Sequence, residues 1–232
     1  MKISIIIPTY NEEKTIEQLM DFLESVKNQC EIIFVDGGST DRTLELIGER
    51  FTVLDSDKGR ANQMNAGAEA STGDVLFFLH CDSEPPKTML QEIENVMKNH
   101  RAGCFGIAFH SWHFFMFFCR LVSNHRAKYR QIVFGDQGIF IERDLFFELG
   151  MFPKLPILED YQFSLTLREK GIQFGMTKHR IYTSDRRFPG GTIKKIKLVL
   201  QMSFLRVKYQ KGVAIEEIAK LYQDVRDRKS VV

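Results

Sequence analysis

The chain has 232 residues, of which 44% are hydrophobic and 27% are charged, as is ordinary for a soluble globular protein. Its formal net charge of +2 is too small to indicate a nucleic-acid-binding protein. The longest apolar stretch, residues 114–119, is much shorter than the roughly 20 residues that a membrane-spanning helix needs.

The first half of the chain alternates short runs rich in Ile, Val and Phe with helical patterns. Strands are predicted at residues 3–7, 32–35, 51–54 and 75–79. The first helix is predicted to follow Asn11 as its N-cap, with Glu12 and Glu13 in its first turn. Further helices are predicted to start near Thr40 and to span residues 63–70 and 86–99. This alternation favours a doubly wound parallel sheet.

The second half has a more mixed pattern. Strands are predicted at residues 105–109, 138–141 and 172–182. Helices are predicted at residues 112–130, 144–149, 160–170, 192–211 and 214–227. The length favours one domain, for which we expect residues 1–190, followed by a C-terminal helical extension at residues 191–232.

Four cysteines lie far apart and form no Cys-x-x-Cys motif. Met1 and Lys2 lead directly into an apolar segment, without the pattern of a signal peptide. We therefore expect reduced thiols that pack as small apolar side chains in a cytoplasmic protein.

Three polar clusters each follow a predicted strand directly. They are residues 8–12 (Pro-Thr-Tyr-Asn-Glu), 36–41 (Asp-Gly-Gly-Ser-Thr-Asp) and 80–82 (His-Cys-Asp). In an open α/β sheet, ligands bind beyond the carboxyl ends of the strands. The clusters are therefore predicted to converge on one crevice that binds phosphates, a metal ion or both.

These clusters, followed by Glu159-Asp160, resemble the family 2 glycosyltransferases of the GT-A fold over about residues 1–182. A closer resemblance, to a bacterial branch of that family, covers almost the whole chain. The segments that carry it are residues 59–65 (Gly-Arg-Ala-Asn-Gln-Met-Asn), 135–138 (Gly-Asp-Gln-Gly), 184–187 (Ser-Asp-Arg-Arg) and 221–226 (Leu-Tyr-Gln-Asp-Val-Arg). The resemblance implies a Rossmann-like, mostly parallel sheet flanked by helices.

The resemblance also implies an inverting, hexosyltransferase-type enzyme. Such an enzyme moves a sugar from a UDP- or GDP-type nucleoside diphosphate to an acceptor hydroxyl, and has no nucleic acid partner. The residues implied in binding the sugar nucleotide are Pro8, Thr9, Tyr10, Glu12, Asp36, Arg60, Asn65, His80, Asp136, Gln137, Arg186 and Arg187.

For several of these residues a structural role is an open alternative. Asp36 either accepts a hydrogen bond from the base or caps the turn that follows it. Arg60, whose planar fork suits phosphate oxygens, either approaches the diphosphate or lies at the surface. His80 either donates a hydrogen bond to the sugar or a phosphate, or packs at a strand end. Residues 39–41 are expected to cap a helix rather than to bind a ligand.

The resemblance assigns a divalent metal, Mg²⁺ or Mn²⁺, to Asp82, because hard cations favour carboxylate and phosphate oxygens. The usual family motif is Asp-x-Asp, whereas this chain has His80-Cys81-Asp82. The last carboxylate of the motif is retained and the first is replaced by His80. Metal dependence is therefore expected with one negative charge fewer near the sugar diphosphate.

The general base falls to Asp160 by the same resemblance, with Glu159 beside it. Asp160 is predicted to lie near a helix N-terminus, which favours an ionised carboxylate by a few tenths to about 1 kcal/mol. Adjacent helical positions diverge by about 100°, so Glu159 is expected to point elsewhere. The alternative is that both are ordinary first-turn acids.

The predicted helix at residues 192–211 is basic and amphipathic. Its apolar stripe consists of Ile193, Ile196, Leu200, Phe204 and Val207, and Lys194, Lys197, Lys208 and Lys211 are expected opposite this stripe. Such a helix either lies on an anionic membrane, with residues 114–118 beside it, or packs on the domain or a second subunit. The membrane interpretation suits a lipid-linked acceptor and a peripheral position on the inner face of the plasma membrane.

Two other functional classes are considered. A sugar-1-phosphate nucleotidyltransferase needs a glycine-rich, basic loop after the first strand, and residues 8–12 contain no glycine. A non-catalytic sugar-nucleotide-binding or membrane-associated relative is favoured by His80 and disfavoured by the retention of Asp82 and Asp160.

Overall fold

The computed structural model of the protein describes residues 1–183 and 191–227. Over these residues the chain forms eight strands, nine α-helices and two short 3₁₀ helices, at Gly48–Arg50 and Gly135–Gln137. The strands are β1 (Ile3–Thr9), β2 (Glu31–Asp36), β3 (Thr52–Asp55), β4 (Val75–Phe78), β5 (Ser83–Glu84), β6 (Ala102–Phe109), β7 (Ile139–Glu142) and β8 (Phe174–Thr183). The helices are α1 (Ile16–Glu24), α2 (Thr43–Ile47), α3 (Arg60–Ala70), α4 (Met89–Met97), α5 (Phe114–Arg130), α6 (Arg143–Glu148), α7 (Glu159–Glu169), α8 (Thr192–Gln210) and α9 (Ile215–Asp227).

The strands form one sheet in the order β3-β2-β1-β4-β7-β6-β8-β5. The first four strands in this order are parallel. β7 joins antiparallel to both β4 and β6, β8 is parallel to β6, and β5 is antiparallel to β8. The expected mostly parallel, helix-flanked sheet is confirmed. β7 corresponds to the strand predicted at residues 138–141, but its antiparallel direction was not predicted, and neither was the two-residue β5.

Both faces of the sheet are buried under helices. In β1, Ile5 and Ile7 join an apolar cluster with α1 and α4, whereas Ile6 joins a second cluster with α3 and α7. Successive strand residues point to opposite faces, so a strand covered on both sides needs a continuous apolar run. This requirement explains why β1 is apolar before the first polar cluster except at Ser4, whose buried hydroxyl donates to Glu31 and accepts from the Gly73 N–H.

The C-terminal helices α8 and α9 pack on α7. Tyr161 of α7, Leu205 of α8 and Ile218 of α9 are buried in a third apolar cluster. The predicted domain boundary after residue 190 falls at the end of residues 184–190, which lie outside the described part of the chain. The four cysteines are free thiols. Among the described residues, no helix has the length and apolarity to cross a bilayer.

The start of the first helix differs from the prediction. α1 begins at Ile16, and Asn11 has a left-handed backbone with φ of 52° instead of capping a helix. The reason is that residues 11–13 bond to the loop after β2. The N–H of Asn11 donates to Ser39 Oγ and that of Glu13 to Asp41 Oδ2, while Asn11 Oδ1 accepts from Thr40 N–H.

The same contacts correct the expectation for residues 39–41. Only Asp41 caps a following N–H, since its Oδ1 accepts from Thr43 N–H at 3.0 Å. Ser39 and Thr40 hold the loop after β1 instead.

Candidate active site

The three predicted clusters lie side by side, because β2, β1 and β4 are neighbours in the sheet. Thr9 is paired in register with Asp36, and Thr9 Oγ1 lies 3.5 Å from Cys81 Sγ. The sulfur of Cys81 also lies 3.5 Å from the carbonyl oxygen of Pro8. The carboxyl ends of the three strands therefore form one edge, as the sequence predicted.

Gln63 of α3 holds two of these strand ends together. Its buried Nε2 donates to the carbonyl oxygens of Thr9 at 2.7 Å and Val35 at 2.8 Å. The segment at residues 59–65 was noted in the sequence, but no role was predicted for Gln63. Its position shows that part of this segment fixes the floor of the crevice.

Asp36 is buried, with 2% of its surface exposed. Its Oδ2 accepts from the N–H groups of Gly38 at 2.9 Å and Ser39 at 2.8 Å, and its Oδ1 accepts from Ser39 Oγ at 2.5 Å. The turn-capping alternative is therefore part of its role. An ionised carboxylate has about four acceptor positions, so Oδ1 retains capacity for one further donor.

Tyr10 and Glu12 border the same crevice. The ring of Tyr10 is exposed, and Lys58 Nζ lies 3.9 Å from its centroid. Glu12 is half-buried, and its Oε2 accepts from Thr15 Oγ1 at 2.6 Å. Tyr10 thus presents an aromatic face with a neighbouring cation, a combination that suits a base and a phosphate.

Asp160 lies in the first turn of α7 and contacts the loop before β7. Its Oδ2 accepts from Gly135 N–H at 2.8 Å, and its Oδ1 accepts from Tyr161 N–H at 2.6 Å. Leu158, the residue just before α7, has a φ of 67°, which is unusual for a non-glycine residue. Such strain costs about 1–3 kcal/mol and concentrates at functional sites.

Gly135 separates Asp160 from His80. A Cβ atom on Gly135 would lie 2.8 Å from His80 Nε2 and 3.5 Å from Asp160 Oδ2. His80 is buried at the end of β4. The imidazole that replaces the first carboxylate of the Asp-x-Asp pattern therefore lies next to the candidate base, a relationship that the sequence did not predict.

Arg60 pairs with Glu159 rather than lying free at the surface. Its Nε is 2.8 Å from Glu159 Oε1, and the side-chain exposures are 37% and 3%. Burial opposes the charge of Arg60, but Glu159, Asp160 and Asp136 outweigh burial and raise its pKa. Arg60 is thus a fixed cation beside Asp160.

Two further arginines, for which the sequence predicted no role, lie at the site. Arg126 of α5 donates from Nη2 to Gln137 Oε1 at 2.9 Å, and its Cζ lies 3.8 Å from the centroid of the Phe134 ring. Arg206 of α8 lies 5.2 Å from the same centroid. Burial lowers the pKa of Arg126 to about 10, with Asp136 opposing and Arg206 adding to the effect. Each arginine is one of several basic residues in its helix, so no sequence motif distinguishes it as a site residue.

The loop at residues 133–137 is anchored from both sides. The hydroxyl of buried Ser164 in α7 donates to the Val133 carbonyl at 2.7 Å and accepts from the Val133 N–H at 3.0 Å. Asp136 is half-buried near Arg60 and Arg126, and Gln137 is fully buried. The predicted loop therefore lies at the site, with Gln137 bound to Arg126.

Three predicted residues have other outcomes. Both amide atoms of buried Asn65 bond to the backbone of Phe152, at 2.8 Å and 3.1 Å. Asn65 therefore anchors the segment after α6, and its amide is not directed at a ligand. Arg186 and Arg187 lie outside the described residues.

Asp82 is half-buried in the turn that follows β4, where Ser83 N–H donates to the His80 carbonyl at 3.1 Å. Within residues 1–183 and 191–227, no group of three or more His, Cys, Asp and Glu side chains could hold a metal ion. One carboxylate fits Mg²⁺ or Mn²⁺ when nucleotide phosphates and waters supply the other ligands. The donor set thus suits a metal shared with a diphosphate, not a closed protein site.

Comparison with known proteins identifies related sequences. A family model described as glycosyl transferase family 2 matches residues 4–167. The uncharacterized glycosyltransferase YkcC of Bacillus subtilis is 30% identical over 104 residues, which is 39% of this chain and 32% of that protein. A dolichol-phosphate mannosyltransferase of Pyrococcus furiosus is 31% identical over 108 residues, or 43% of this chain and 31% of that protein. The matches thus span about a third of these relatives' length.

Solved structures show the same fold. The mannosyltransferase PcManGT of Pyrobaculum calidifontis, in complex with GDP-Man and Mn²⁺, has a TM-score of 0.67 at 18% identity, covering 95% of this chain and 68% of that one. TarS residues 1–349 of S. aureus, in complex with UDP-GlcNAc, has a TM-score of 0.61 at 20% identity, covering 84% of this chain and 60% of that one. The architecture is therefore that of the GT-A glycosyltransferases.

Proposed function

Because the chain belongs to glycosyl transferase family 2, we propose that it transfers a sugar from a nucleoside diphosphate to an acceptor hydroxyl with inversion at the anomeric carbon. The observation that carries the proposal is the position of Asp160 against Gly135 and His80, at the strand-end edge that also bears Asp36 and Asp82. A carboxylate and a nucleotide-binding edge thus share one crevice.

The donor is a UDP- or GDP-type sugar. Solved neighbours of the same fold hold UDP-GlcNAc in one case and GDP-Man in another. In this chain, Asp36 Oδ1 has capacity for a hydrogen bond from a base N–H, and Tyr10 offers an exposed ring beside it. Pro8, Thr9 and Glu12 line the same edge.

The diphosphate lies toward Asp82. A divalent ion held there, Mg²⁺ or Mn²⁺, would neutralise charge on the leaving diphosphate. Arg60 supplies positive charge on the Asp160 side of the crevice, since its Nε lies 2.8 Å from Glu159 and it interacts electrostatically with Asp160 and Asp136. The ring of His80 and the carboxylate of Asp160 both lie against Gly135.

Asp160 acts as the general base. As the acceptor oxygen bonds to the anomeric carbon, the bond from that carbon to the diphosphate oxygen breaks, and the acceptor proton passes to Asp160. The N–H groups of Gly135 and Tyr161 hold the carboxylate in one orientation. Glu159 is a positioning residue, because it binds Arg60 and is 2% exposed.

The acceptor is a hydroxyl compound, and a lipid-linked one accords with peripheral contact of α8 with the inner face of the plasma membrane. Arg126 and Arg206, which flank Phe134 near Asp160, give this side of the site a cationic lining.

The test is donor hydrolysis and transfer with a panel of UDP-, GDP- and dTDP-sugars in the presence of Mn²⁺, followed by NMR of the anomeric proton. The proposal predicts turnover of at least one donor with inversion. Binding without turnover of any donor by the intact protein would favour a non-catalytic sugar-nucleotide-binding protein, and retention would remove Asp160 as the base.

A further inference from the structure

Large apolar side chains are exposed along α5 and α8. Ten of them, which we call the α5–α8 face, are Phe114, Phe117, Phe118, Leu121, Val122, Ile193, Ile196, Leu200, Phe204 and Val207. Their exposed fractions run from 40% to 83%, and Trp112, just before α5, is fully exposed. Contiguous apolar patches of this kind are rare on monomeric proteins and indicate an interaction surface.

The two helices lie side by side and run in the same direction. At their N-terminal ends, His113 Nε2 lies 3.2 Å from Thr192 Oγ1. Further along, Lys195 acts electrostatically on the thiol of Cys119. Toward their C-terminal ends, Arg126 and Arg206 contact the same Phe134 ring. The contacts occur in the same order on both helices, so the two helices run parallel, and each carries a stripe of apolar side chains that the rest of the described chain leaves exposed.

The exposed stripe of α8 is not its packing face. The buried positions of α8 are Lys195, Leu198 and Leu205, which lie on the side of the helix away from Ile193 and Leu200. Lys194 and Lys197 are exposed next to the stripe. This arrangement corrects the expectation that the lysines lie opposite it, because the opposite side is the one that packs on the domain.

The charged side chains of these two helices are all positive. Over residues 114–130 and 192–210 the sequence has nine Lys and Arg and no Asp or Glu, although the whole chain has a net charge of only +2. The remainder of the chain is therefore net acidic. A surface helix that carries cations among aromatic and aliphatic side chains tends to bind at the interface of an anionic bilayer.

We propose that the α5–α8 face docks on an anionic lipid bilayer, with Phe114, Phe118 and Ile193 in the interfacial region and Lys194 and Lys197 at the headgroups. A second copy of the chain fits less well, because two such faces would bring the exposed Lys194 and Lys197 of each copy together, with no Asp or Glu on either helix as a counter-charge. Docking itself does not depend on the proposed activity. Its consequence does: the helices that form this face also bring Arg126 and Arg206 to the site, so docking orients the acceptor side toward the membrane.

The test is sedimentation with vesicles, using the full chain and two exposed double variants. Vesicles of phosphatidylcholine with phosphatidylglycerol are compared with phosphatidylcholine alone. One variant is Phe114→Ser with Phe118→Ser, and the other is Lys194→Gln with Lys197→Gln. The matched controls are Leu44→Ser, an exposed leucine on α2, and Lys98→Gln with Lys170→Gln, exposed lysines outside the face.

The intact protein is expected to sediment with the anionic vesicles only, and less as salt increases. Each lysine near an anionic surface contributes about fivefold, so losing two weakens binding roughly thirtyfold. The phenylalanine variant also loses binding, and both controls retain it, all with unchanged circular dichroism.

Three results would overturn the proposal. They are no binding of the intact protein, equal binding to neutral vesicles, or a dimer in solution that Phe114→Ser with Phe118→Ser converts to a monomer. Donor hydrolysis measured without vesicles reports on the proposed activity alone, so the two ideas fail separately.

Discussion

Arg60 Nε lies 2.8 Å from Glu159 Oε1, which joins the first residue of α3 to the first residue of α7. The pair connects two motifs that are about a hundred residues apart in the chain. It also fixes the start of the helix that carries Asp160. Arg60 was expected at the diphosphate or at the surface, and its pairing gives it a third role, which is to hold the helix start that carries Asp160.

Replacing Arg60 with Met is expected to destabilise the protein. Breaking a fully buried pair costs about 3–5 kcal/mol, but 37% of the Arg60 side chain is exposed, so we expect about 1–3 kcal/mol. Urea denaturation of Arg60→Met, Glu159→Gln and the double variant measures the coupling. A coupling energy below about 0.5 kcal/mol would mean that the contact is not energetically significant.

Gly135→Ala tests the close approach between the loop and His80. The added Cβ would lie 2.8 Å from His80 Nε2, so the loop must shift, and overpacking of this kind costs about 1–3 kcal/mol. Activity is expected to fall with stability, because the same residue donates to Asp160. Gly191→Ala is the matched control, since a Cβ there meets no atom within 4 Å.

Shortening His80 relieves the clash in that experiment. We expect Gly135→Ala with His80→Ser to be more stable than the sum of the single changes predicts, as measured by thermal unfolding. Strict additivity would show that the clash is absorbed elsewhere.

Asp36→Ala is expected to weaken binding of the preferred nucleoside diphosphate. A hydrogen bond to a charged group contributes about 1.5–3 kcal/mol, which corresponds to roughly ten- to a hundredfold in affinity measured by calorimetry. The control is Ser39→Ala, which removes the hydroxyl that donates to Asp36 at 2.5 Å but keeps the carboxylate. If both variants lose affinity equally, turn formation and not base recognition explains the effect.

Asp82→Asn tests the metal site. Nucleotide affinity of the unmodified protein is expected to rise when Mn²⁺ is added, because a diphosphate and one carboxylate together complete a coordination shell. Asp82→Asn should abolish that increase and leave metal-free affinity nearly unchanged. Asp21→Asn, an exposed acid on α1, should behave like the unmodified protein. If Mn²⁺ does not change the nucleotide affinity of the unmodified protein, the metal prediction is wrong, and Arg60 and His80 remain as the source of positive charge.

The strand-end clusters were predictable and the contacts between distant loops were not. Apolar runs locate β1, β2 and β4, and parallel neighbours place Thr9 beside Asp36. Nothing local reveals that Gly135 lies between His80 and Asp160, since that contact depends on how the loop before β7 crosses α7. Arg206 is one of several basic residues on an amphipathic helix, and only its packing against Phe134 distinguishes it from the others.

The start of α1 shows the opposite case, in which a local signal was overridden. Asn11 followed by two glutamates is typical of a helix N-terminus. In the folded protein the N–H groups of Asn11 and Glu12 donate to Ser39 and Thr43, which draws the segment into a loop pair. Tertiary hydrogen bonds replace the helix turn, and they shape the edge of the candidate crevice.

Asp160→Asn is the decisive test of the chemistry. Asparagine keeps the shape of the side chain and one acceptor oxygen for Gly135 or Tyr161, but it cannot take up the acceptor proton at neutral pH. Removing a positioned base typically lowers the rate by about 10²–10⁴-fold. Donor affinity should be nearly unchanged, because Asp36 at the end of β2 and Asp82 in the turn after β4 lie outside α7. The loss should therefore appear in kcat rather than in donor Kd. Glu159→Gln is the matched comparison: as a positioning residue it should lower kcat less and should also lower stability through Arg60. Near-normal turnover of Asp160→Asn with inactive Glu159→Gln would move the base by one residue, and activity in both would exclude this pair from the proton transfer.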